Sequence, residues 1–140
     1  MLKIVIFLSG MILLAGTAGA CGVCAEDKIA AVYDHASITR ALGAGRTVVF
    51  FGFDGAPAQA TRAKIEKSAA SVAGVDPASV RVSLAPGALA IAFDPRRVRL
   101  SDVQRSLETR LGPLGVSLYP LHLMDRPGDL AAVGSAAGRR

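Results

Sequence analysis

The chain has 140 residues, a net charge of +5 and two cysteines, Cys21 and Cys24. That length suits one small domain with a single core and excludes two ordinary ones. The basic excess is mild, and nucleic acid is an improbable partner for a chain that opens as this one does.

Residues 1–20, "MLKIVIFLSGMILLAGTAGA", read as Lys3, an apolar run from Ile4 to Leu14, and the small residues Ala18, Gly19 and Ala20. This is the layout of a secretory signal peptide. The run is shorter than the roughly 20 residues of a membrane span. The expectation is therefore an exported chain, periplasmic or secreted. Cleavage after Ala20 would make Cys21 the first residue, where it could also take a lipid. Ala18 stands where a lipoprotein signal usually carries leucine, and a membrane partner is implied only if Cys21 is lipidated.

Residues 21–45 form a Cys-x-x-Cys arm and a helix. "CAEDKIAAVYDHASITRAL", Cys24 to Leu42, predicts one continuous amphipathic helix with Ile29, Val32 and Ala36 on its apolar face. Glu26 and Asp27 complement the positive end of its dipole. "RTVVFFGF", Arg46 to Phe53, has the β-branched and aromatic content of a strand. After Gly55 to Pro57, Ile65, Ala69 and Val72 recur at helical spacing.

"SVRVSLAPGALAIAF" alternates on both sides of Pro86 and Gly87 and predicts a hairpin. The loop after it carries Arg96, Arg97 and Arg99, a basic cluster that could face anionic headgroups or an acidic partner. "SDVQ", Ser101 to Gln104, has capping-box spacing ahead of the helical face Val103, Leu107 and Leu111. "GVSLYP", Gly115 to Pro120, predicts the last strand, and residues 125–140 a tail with too little apolar bulk to pack.

The order from residue 46 to 124 is strand, helix, strand, strand, helix, strand. It predicts an α+β, ferredoxin-like βαββαβ sandwich with both helices on one face of an antiparallel sheet.

The run "TVVFFGFDG", "AKIEK", "SVRVSL", "ALAIAFDP", "LSDVQRSLE" resembles, in order and spacing, the heavy-metal-associated domain of small copper chaperones and mercury-binding proteins. The resemblance implies that fold, and a Gly-Met-x-Cys-x-x-Cys metal loop between the first strand and its helix. In this chain the loop reads "GAPAQAT", Gly55 to Thr61. Ala58 and Thr61 stand at the cysteine positions and Ala56 at the methionine. Neither methyl nor hydroxyl offers the soft anionic sulfur such ions select.

The two thiols instead lie in "CGVC". One reading is a metal clamp, since Cys21 and Cys24 at a helix start can converge as thiolates on one soft ion. Copper(I) is the first choice, then zinc or mercury, with a metal-donor or acceptor protein as partner. His122 and Met124, just past the last strand, are the auxiliary candidates. His35 is set aside because a straight helix would hold it roughly 16 Å from Cys24.

The other readings are a disulfide, a redox pair that lacks its preceding strand, and a lipid anchor at Cys21. No catalytic triad spacing or phosphate loop occurs, so a non-enzyme is expected. The competing function is a non-catalytic protein-interaction module on the same fold.

Overall fold

The computed structural model describes residues 24–54 and 61–129. The expected signal segment, Cys21, the loop from Gly55 to Ala60 and the end of the tail lie outside the described residues.

The sheet is built around β1, Thr47–Phe53, every residue of which is buried. β2 is Arg81–Leu84, β3 is Gly87–Phe93 and β4 is Leu118–Met124. Their order is β2-β3-β1-β4 and every pairing is antiparallel. Complete burial of β1 explains its continuous apolar run, because a central strand covered on both faces has no side that needs polar residues.

One face carries the two helices expected there. In α3, Arg62–Ala70, Ile65 and Ala69 point inward. In α4, Leu100–Leu111, Val103, Leu107 and Leu111 do so. They close on Val49, Phe51 and Phe53 of β1 and on Leu89, Ile91 and Phe93 of β3. Among the described residues this is an α+β arrangement with a four-stranded antiparallel sheet and four α-helices, compatible with a ferredoxin-like fold.

The opposite face is covered as well. Val48, Phe50, Met124 and the β3 alanines Ala88, Ala90 and Ala92 pack there against Val32, Ile38, Ala41 and Leu42. The alanines let the helices approach closely, which the alternation of large and small residues along β3 makes possible.

The N-terminal helix differs from its expectation. It breaks into α1, Ala25–Val32, and α2, His35–Gly43. Tyr33 and Asp34 are extended, and Asp34 caps α2 by accepting the backbone N–H of Ser37 at 3.0 Å. A short carboxylate that can serve this orphan donor favours a new start over continuation. The break turns Ala36 outward, so it is exposed rather than on the apolar face.

Two smaller expectations also change. α4 starts at Leu100 with Arg99 at the cap position and no side-chain cap, so Ser101 sits inside the helix and forms no capping box. The last strand runs on to Met124, past Pro120. The β1–β4 register shifts between Phe50 and Phe51, where Leu121 is the extra residue. A bulge of this kind accommodates a proline on an edge strand.

Candidate functional site

The described part of the site lies at the end of β1, where the chain leaves the sheet for Gly55. Lys28 of α1 is 6% exposed. Its ammonium donates to the Phe53 carbonyl at 3.1 Å, to Asp54 Oδ1 at 3.0 Å and to Tyr119 Oη at 2.5 Å. Tyr119 donates in turn to Asp54 Oδ1 at 3.2 Å. A buried ammonium needs partners for its protons, and here oxygens of Phe53 in β1, of Asp54 just after it and of Tyr119 in β4 supply them.

Gly52 makes this arrangement possible. A Cβ on Gly52 would lie 2.6 Å from Cε2 of Tyr119. The bare backbone therefore lets the Tyr119 ring rest against the strand and bring its hydroxyl to Lys28 and Asp54.

The charges support one another. Hydrogen bonding to Tyr119 raises the Lys28 ammonium above its ordinary value, against the opposing effect of burial, and Asp54 adds to the rise. The Lys28 hydrogen bond and charge hold Asp54 below the usual carboxylate range. The Asp54 side chain is 85% exposed, so water screens its attraction to Lys28.

Cys24 occupies the cap position of α1, and its carbonyl accepts from Asp27 and Lys28. Its thiol is exposed and has no disulfide partner among the described residues. One helical turn separates it from Lys28, about 6 Å along the axis. The α1 N-terminus thus sits at the sheet end from which the β1–α3 connection leaves. Glu26 and Asp27 occupy the first turn as expected.

The auxiliary candidates fare differently. Met124 lies inside β4 and is wholly buried against Val48 and Phe50, so it is a core residue and not an available sulfur donor. His122 also lies inside β4, opposite Phe50, with ring centroids 6.4 Å apart. Its Nε2 is buried without a hydrogen-bond partner among the described residues. Both corrections follow from the bulge, which carries the strand beyond Pro120.

The break at Tyr33 and Asp34 removes the straight rod that set His35 aside. His35 is exposed, with Nδ1 3.4 Å from Tyr33 Oη. Among the described residues no three His, Cys, Asp or Glu side chains gather as a metal site. Thr61 caps α3 by accepting the Lys64 N–H at 3.3 Å. Thr61, which the sequence resemblance aligns with a cysteine, is therefore a helix cap in this chain.

The Lys28, Asp54 and Tyr119 group was not foreseen. Lys28 precedes Val32 by four residues, so the two share a face, and an i, i+4 match to a buried valine was the available signal. No helix among the described residues is long and apolar enough to cross a membrane. No protein-family model, curated protein or solved structure matches the chain.

Proposed function

We propose that the protein is an exported, non-enzymatic binder or carrier of one soft metal ion, held by Cys21 and Cys24 on a scaffold akin to the heavy-metal-associated domain. Copper(I) is the ion best suited to two thiolates, with zinc and mercury behind it. The ion would come from or pass to a donor or acceptor protein in the periplasm or outside the cell.

One observation carries the reading. Cys24 is exposed at the N-terminus of α1, and Lys28, one turn on, is tied to the residue from which the β1–α3 connection departs. Cys24 thus stands one turn from the residue that ties α1 to the sheet end where the resembled family would carry its metal loop.

Anaerobic titration of the reduced mature chain with copper(I) against a chromophoric competitor tests this. One equivalent should bind, and Cys21→Ser with Cys24→Ser should abolish it. Unchanged binding in the double variant would sink the reading.

Thr61 favours a second reading. Its hydroxyl caps α3 where the resembled family carries a metal-binding cysteine, as expected of a non-catalytic interaction module, tethered if Cys21 is lipidated. Co-purification of a stable partner by the double-cysteine variant would favour this reading over the clamp.

A further inference from the structure

We draw no further inference here: the strongest candidate, the open outer edge of β4, whose run from Leu118 to Met124 holds no Asp, Glu, Lys or Arg and leaves Leu123 exposed, carries nothing because no feature among the described residues shows what covers it.

Discussion

Asp34 uses its two carboxylate oxygens for two different tasks: Oδ1 receives the first turn of α2, and Oδ2 receives two nitrogens of the Arg81 guanidinium on β2. One side chain thereby starts a helix and ties it to the edge of the sheet. The hydrogen bond from Ser37 and then the Arg81 bonds hold its carboxyl below the usual carboxylate range.

That direction fixes a pH dependence. A carboxylate whose folded pKa is depressed stabilises the fold above its unfolded value, about 3.9, and loses that contribution as pH falls through the folded value. Asp34→Ala should lower Tm at pH 7, and the difference from wild type should shrink as the pH drops below about 3.9. Thermal melts at several pH values check this; a constant difference would contradict the assignment.

Lys28→Met should destabilise the protein by about 1–3 kcal/mol, because it leaves the buried Phe53 carbonyl without its donor. The raised Lys28 pKa gives the opposite sign to the Asp34 case. The charged Lys28 cluster contributes fully below the unfolded lysine value, about 10.4, and that contribution is lost as pH rises through the higher folded value. The depressed Asp54 value means that its share of the contribution is lost as pH falls through that value, while the bonds to Phe53 and Tyr119 remain. Denaturant midpoints for wild type and Lys28→Met should therefore differ most between those limits.

Gly52→Ala should cost about 1–3 kcal/mol, the usual range for forcing a methyl into occupied space. The displaced group is the Tyr119 ring. Tyr119→Ala in the same background should recover part of the loss by opening that space. A double-mutant cycle with no coupling would refute the contact.

Met124→Leu should cost less than about 1.5 kcal/mol, as volume-conserving core exchanges do, and leave metal stoichiometry unchanged. His122→Phe should be neutral or stabilising, since it replaces a buried nitrogen lacking a partner beside Phe50. Loss of bound metal in either variant would restore that residue as a ligand.

The strands and the helices on the expected face were legible because their periods are unambiguous. Val80, Val82, Leu89, Ile91 and Phe93 alternate, while Val103, Leu107 and Leu111 recur at helical spacing, and all of them are buried. The break after Val32 was hidden by alanine-rich periodicity that continues through it. Asp34 followed by Ser37 was the signal for a new cap. β4 was cut short because Pro120 reads as a stop, and only pairing with β1 reveals the bulge that admits it.

The candidate site was legible in part. The thiol pair and the missing loop cysteines stand in the sequence. The attachment of α1 to the end of β1 does not, because it depends on Lys28, Asp54 and Tyr119, which lie far apart along the chain. Lysine on a helix ordinarily reads as solvated, and its burial here follows from oxygens contributed by other elements.

The central claim is that Cys21 and Cys24 hold one soft metal ion. Its most direct test is a native mass spectrum of the mature protein, exported under its own signal and purified without chelator, beside a denatured spectrum and the double-cysteine variant. The account predicts one copper, zinc or mercury per chain on an unlipidated Cys21, absent from the variant. A metal-free chain carrying lipid or a stable disulfide would contradict it.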